Sequence, residues 1–223
     1  MDTKAKGVII SLIDYKDADK LASIFTLEYG LITAKFVGVR KEKAKLKAIA
    51  QPFVFADFLI NENGKNKTIT SASVVDNFYN ILNNYQKTIS GYIVLDILKS
   101  ILPKEKPEPD LFILTLNALK QIEEQNELVA TISYILKFIA FSGMEIQFPQ
   151  KEYVYLDALT GNFTGIREPN CTAIDKKVYL TLKAINEERE IEHNETTLKQ
   201  ILRLLHNIIY LKFNEDVKSF QFI

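Results

Sequence analysis

Six cations fall within a single short stretch: Lys35, Arg40, Lys41, Lys43, Lys45 and Lys47, with Glu42 as the one anion among them. Cations at this density suit one kind of chemistry above others, the neutralisation of phosphate groups. Each phosphate so neutralised releases condensed counterions and makes binding salt-dependent. The chain as a whole carries 28 basic and 28 acidic residues, so its formal net charge is zero. The stretch from Lys35 to Lys47 is therefore balanced by acid elsewhere, and the charge is segregated along the chain. A solvated surface loop is the plainer reading of the same residues. Lys16 adds a weaker cation nearby. Tyr15, Tyr29 and Phe36 have the flat rings on which unpaired bases stack, although core packing is the ordinary role of such rings. Tyr15, in a polar turn, is the best stacking candidate.

Other chemistries find little support. The one cysteine, Cys171, excludes an intramolecular disulfide and any site that needs several thiolates. As a nucleophile it would want a nearby base, and neither histidine, His193 or His206, lies within twenty residues. His206 reads as structural. The acid pairs Asp17/Asp19 and Glu187/Glu188 have no nucleotide or metal signature around them. The eight glycines are scattered and form no phosphate-binding loop. The reading is of a non-enzymatic protein without a cofactor or metal. Val8–Ile13 is too short for a signal-peptide core, and nothing approaches the roughly 20 apolar residues of a membrane span. A soluble, cytoplasmic chain with no membrane partner is expected.

The elements that must position the cations are short. Val8–Ile13 is a β-branched run that suits a buried strand. Leu21, Ile24 and Phe25 recur at near-helical spacing, so one or two helical turns are expected over Ala18–Glu28. Leu31–Val39 reads as a strand with a bulge or bend at Gly38. Arg40–Lys47 alternates cations with small or apolar residues and is compatible with a strand, a helix or a loop. In each case the cations stay solvated. Phe53–Ile60 is the strongest strand of the chain, and Lys67–Thr70 is its return. Several short strands in about seventy residues fit a small closed barrel such as an OB-fold. The class expected is α+β, with an OB-fold barrel over residues 1–71 and an all-α part over 72–223.

Helices follow. The first is expected from a Ser73 cap to Tyr85, then Tyr92–Leu102, Asp110–Glu124 with Pro109 at its first position, Leu128–Ser142 closed by Gly143, Lys176–Ile185 and Glu195–Phe213. Between the fourth and fifth lies an irregular insert at about residues 144–172. A hairpin of Tyr153–Asp157 and Asn162–Gly165 is expected there, held by its aromatics.

The order Asp14-Tyr15, Asp19-Lys20-Leu21, Phe25-Thr26, Tyr29-Gly30-Leu31, Lys35, Gly38-Val39-Arg40-Lys41, Leu46, Gln51-Pro52-Phe53 resembles the N-terminal domain of the RecO recombination mediators. Leu202–Leu205 and Lys218-Ser219 resemble that family's C-terminal end, with Phe220 standing where arginine is usual. The resemblance implies a DNA-binding mediator of DNA repair that anneals strands. It implies binding of single- and double-stranded DNA, work with RecR, engagement of single-stranded-DNA-binding protein and indirect help in loading RecA, close to the nucleoid. Lys35, Arg40, Lys41, Lys43, Lys45, Lys47, Lys16 and Tyr15 are then the DNA-contact candidates. Engaging the tail of the binding protein would need an apolar pocket beside a cation such as Lys120, Lys137 or Arg203. Many relatives carry a four-cysteine zinc knuckle where this chain offers only Cys171, so the insert is expected to persist without metal. The alternative is a protein-binding adaptor whose basic stretch is incidental.

Overall fold

The computed structural model describes residues 2–64, 66–151, 154–190, 192 and 194–223. It divides into two compact units, Met1–Asn83 with Ile97–Leu116, and Asn84–Asp96 with Asn117–Ile223.

The first unit is built on β1 (Asp2–Tyr15), β2 (Asp19–Thr26), β3 (Gly30–Phe36), β4 (Phe55–Asn63) and β5 (Asn66–Asp76), closed into a barrel in the order β1-β2-β3-β5-β4. All neighbours are antiparallel except β3 and β5, which meet in parallel at Lys35–Thr68 and Phe36–Ile69. This is the OB-like barrel expected from the sequence. Period-2 alternation sends Ala22 and Ile24, Ile32, Ala34 and Phe36, and Ala56, Phe58 and Ile60 into one core. The small alanines let the walls of a five-stranded barrel approach. A register shift between Ile9 and Ser11 bends β1, and there Val8, Ile9 and Ile10 are buried in succession. The segment between the next two helices belongs to this unit: Glu105 N–H donates to the Leu31 carbonyl at 3.0 Å, and Lys67 pairs with Glu105 at 2.6 Å.

Several local expectations fail here. Ala18–Glu28 holds no helical turn, because Asp19–Thr26 is strand β2, hydrogen-bonded to β1 on one side and β3 on the other. Two ladders outweigh the near-helical spacing of its apolar residues. Ser73 does not cap a helix. β5 runs on to Asp76, with Leu59 opposite Ser71 and Phe55 opposite Asp76, so residues 72–76 belong to the barrel. The β-branched Val74 and Val75 suit a strand better than a helix. What remains of the expected helix is the single turn α1 (Tyr79–Leu82). Of the bulge or bend expected at Gly38, the structure has the bend: β3 ends at Phe36, short of the expected Val39, and Gly38 sits in the following turn at φ 64°. Phe53 precedes β4, buried and at φ 69°, with its N–H donating to the Ile9 carbonyl.

The second unit is helical, made of most of α2 (Tyr85–Ile101) and the second half of α3 (Pro109–Glu124), with α4 (Glu127–Phe141), α5 (Lys176–Asn186), α6 (Glu195–Phe213) and a 3-10 turn at Lys218–Phe222. α2 starts seven residues before the Tyr92 expected and carries Gly91 in its interior. Asn126, Asp175 and Asn194 cap α4, α5 and α6 by accepting a backbone N–H three residues on. α4 ends at Phe141 and is closed just beyond by Gly143, φ 73°, where Gly143 N–H reaches the Ala140 carbonyl and Met144 N–H reaches that of Ile139. Ile132, Ile135 and Ile139 of α4 and Ile201, Leu205 and Ile208 of α6 are all fully buried.

The insert contains the expected hairpin, β6 (Tyr155–Asp157) antiparallel to β7 (Phe163–Thr164), and adds a third strand, β8 (Cys171–Ala173), on the other side of β6. Part of the expected first strand, Tyr153, lies outside the described residues. Phe148, Phe163 and Tyr179 of α5 meet ring to ring at 5.3–6.0 Å. Asp157 pins the loop, because its carboxylate accepts Leu159 N–H, the Thr160 hydroxyl and the Asn170 amide. These bonds, the Leu159 N–H foremost, hold its carboxyl below the ordinary aspartate range. A depressed folded pKa adds stability that is complete above the unfolded value and is lost as pH falls through the folded one. Acidification below about pH 4, followed by two-dimensional NMR, is expected to shift the Leu159 backbone amide and the Asn170 side-chain amide together as this carboxyl takes up its proton. Asp157→Asn should remove that pH step.

Candidate nucleic-acid interface

The barrel delivers the cations through one loop with two unlike sides. Lys35 is half-buried on β3, opposite Leu21 on one side and Thr68 on the other. Beyond Phe36 the chain turns at Gly38, whose N–H donates to the Asp19 carboxylate at 2.7 Å. Val39 then enters the barrel core. Arg40 leaves it again: its N–H reaches the Ala18 carbonyl at 2.9 Å, and its guanidinium meets the Asp14 carboxylate at 3.3 Å. Two longer contacts, each 3.4 Å, run from the guanidinium to the Lys16 and Asp17 carbonyls. The loop is thereby tied to the turn between β1 and β2.

From Lys41 onward the backbone is a succession of tight turns, neither strand nor helix. Ala44 N–H bonds to Lys41, Lys47 to Ala44, and both Ile49 and Ala50 to Leu46. Ala50 is buried, and Leu46 and Ile49 pack against the same core as Val39. These apolar side chains close the mouth of the barrel. Lys41, Lys43, Lys45 and Lys47 are exposed, and among the described residues none of them forms an ion pair. Four ammonium groups held close and facing water create a positive potential that attracts a polyanion.

Lys20 is a cation that sequence reasoning missed. It pairs with Asp14 across β1 and with Phe36 across β3, which sets it at the barrel mouth. With Asp14, Arg40 and Lys47 it rings a concavity of about 270 Å³ over Val39 and Ala50. Only the strand character of Asp19–Thr26 would have revealed it.

Tyr15 ends β1 and is 38% exposed. The Lys16 ammonium lies 5.4 Å from its ring centre, a cation–π distance, and Lys16 itself adopts φ 52°. Phe36 cannot serve as a stacking platform: it is fully buried against Phe58. Tyr29 is half-buried against the core. Asp19 is the anchor of Gly38, and Glu188 pairs with Lys137 at 2.8 Å. His206 stacks on Phe220 and meets Asp216 at 3.0 Å, a packing role, while His193 lies outside the described residues. Among the described residues no three His, Cys, Asp or Glu side chains gather as metal ligands, and no helix is long and apolar enough to cross a membrane. The cations offered for a partner's tail are engaged: Lys120 with Glu123 and Glu124, Lys137 with Glu188, and Arg203 with the Ile223 carbonyl.

Comparison with known proteins fits this geometry. Residues 1–78 match the family model described as Recombination protein O N terminal, and residues 82–219 match Recombination protein O C terminal. The chain belongs to the RecO family. Its curated relatives carry the name DNA repair protein RecO. One from Caldicellulosiruptor saccharolyticus is 30% identical over 66% of this chain and 61% of its own length, so the match spans less than two thirds of that relative. One from Caldicellulosiruptor bescii is 26% identical over 89% of this chain and 78% of its own. One from Dehalococcoides mccartyi is 23% identical over 98% and 85%. The two family matches meet within residues 78–82, just past the end of β5.

The two sides of the loop of this RecO-family chain should separate in stability measurements. Replacing Leu46 and Ile49 together by serine is expected to lower unfolding free energy by about 2–3 kcal/mol, because half-buried apolar area returns to water. Single alanine replacements at Lys41, Lys43, Lys45 or Lys47 should stay within about 0.5 kcal/mol. Urea denaturation of the six proteins tests both.

Proposed function

We propose that this chain is a non-enzymatic DNA-binding mediator of DNA repair, and that the loop from Arg40 to Lys47 is its phosphate contact. The observation that carries the reading is the loop's two-sidedness. Its apolar residues are committed to the barrel, which leaves Lys41, Lys43, Lys45 and Lys47 facing solvent without ion-pair partners among the described residues. Lys35, Arg40 and Lys16 extend the contact, and Tyr15 offers a ring beside it. Membership of the RecO family supports the repair role. The mechanism is electrostatic: cations screen two backbones so that complementary bases can pair, with no covalent step. In this role the chain binds single- and double-stranded DNA in the cytoplasm, at the nucleoid. It works with RecR, engages single-stranded-DNA-binding protein and helps load RecA. For the binding protein's tail, the face of α2 bearing Tyr85, Ile89 and Tyr92, beside Lys218 and Phe222, combines apolar surface with a cation and replaces Lys120, Lys137 and Arg203 as the candidate.

Fluorescence anisotropy with a labelled single-stranded oligonucleotide, titrated across salt, tests the reading. Wild type should bind with a steep salt dependence. A variant with Lys41, Lys43, Lys45 and Lys47 changed to alanine should bind more weakly, with a log–log slope about two to three units shallower. Equal slopes would remove the loop from the DNA contact. Absence of binding by wild type at low salt would favour a protein-binding adaptor.

A further inference from the structure

The outward face of β1, β2 and β3 carries large apolar side chains that the core does not use. Strand register places Ile13, Leu21 and Lys35 in one cross-strand row and Tyr15 opposite Asp19 in the next. Val37 follows directly on the end of β3. The alternate residues Ala22, Ala34 and Phe36 are buried, so this row faces away from the core. Ile13 is 60% exposed, Val37 58% and Tyr15 38%, with Leu21 half-buried between the strands. Single exposed apolar residues are ordinary, but a cluster in adjoining rows marks a contact surface.

The charges around the strip define what would lie on it. Lys35 stands in the row itself, Lys16 sits over the Tyr15 ring, and Arg40 ties the basic loop to the adjoining turn. Of the nearby acids, Asp14 pairs with Arg40 and Asp19 accepts the Gly38 N–H, while Asp17 and Glu42 are exposed and are outnumbered by Lys16, Lys20, Lys35, Arg40 and the four exposed lysines of the loop. The complement is therefore a polyanion that also offers flat apolar faces. Unpaired nucleotides have that combination, whereas a duplex hides its base faces in the stack. We propose that Ile13, Leu21, Val37 and Tyr15 form a rest for unpaired bases, whose phosphates run to Lys35 and the basic loop. The inference rests on the reading of that loop as a phosphate contact and goes beyond it by assigning the bases a place.

The test uses the full chain and two labelled probes of equal length, an oligothymidylate and an abasic oligonucleotide with the same phosphates and no bases. Wild type should bind the first about tenfold more tightly than the second. The variant Ile13→Ser with Val37→Ser should bind both probes alike, at the wild-type abasic affinity and with an unchanged salt slope. The conservative pair Ile13→Leu with Val37→Ile should keep the preference, and an unchanged thermal melt verifies each fold. Equal binding of both probes by wild type, or full preference in the serine variant, overturns the base rest while the phosphate contact stands. Failure of wild type to bind either probe at low salt overturns both.

Discussion

The burial of Val39, Leu46, Ile49 and Ala50 over the open end of the barrel is the constraint on which the rest of the site depends. A five-stranded barrel with alanine at several inward positions is narrow, and its open end would leave Phe36 and Phe58 near water. One loop covers that end with four apolar side chains. Because those positions are fixed inward, the intervening lysines have only solvent to face. The positive surface thus follows from how the core is closed, with no separate device to present it.

Tethers at the start of the loop keep that arrangement in register. The Gly38 N–H on Asp19, the Arg40 N–H on Ala18 and the Arg40 guanidinium on Asp14 all join the loop to the β1–β2 turn. The exposed ion pair contributes little stability by itself. Its consequence is geometric. Asp14 and Asp19 are turned toward Arg40 and Gly38, which leaves Asp17 and Glu42 as the acids facing the four lysines. The same tethers bring Tyr15 and Lys16 beside the loop, although they lie far from it in sequence.

Much of this could be read from the residues. Alternation in Leu31–Phe36 and Phe55–Ile60, and the Pro-bounded helix at Pro109, follow local rules that tertiary structure did not override. α4 and α6 came out within a residue of expectation because each has a side-chain cap and a broad apolar face. β2 was not legible: its apolar spacing suits a helix, and only the ladders to β1 and β3 decide otherwise. Lys20 was hidden by the same error. The end of β5 was missed because Ser73-Val74-Val75 reads as a helix start until β4 pairs with it. The role of Leu46 and Ile49 is likewise invisible locally, since loop residues with mixed spacing show no period. The third strand of the insert, at Cys171–Ala173, is short and pairs with residues more than ten positions away.

The account's central claim is that one loop closes the barrel with its apolar side and holds phosphate with the other. Nitrogen-15 NMR of the full chain, titrated with a short single-stranded oligonucleotide, tests it most directly. The account predicts that the largest amide shifts fall on Gly38–Ala50 and on Asp14–Lys20, while the buried-strand amides of Ile24, Ile32 and Phe58 hold their positions. Shifts confined to other surfaces, with Gly38–Ala50 unmoved at saturation, would contradict it.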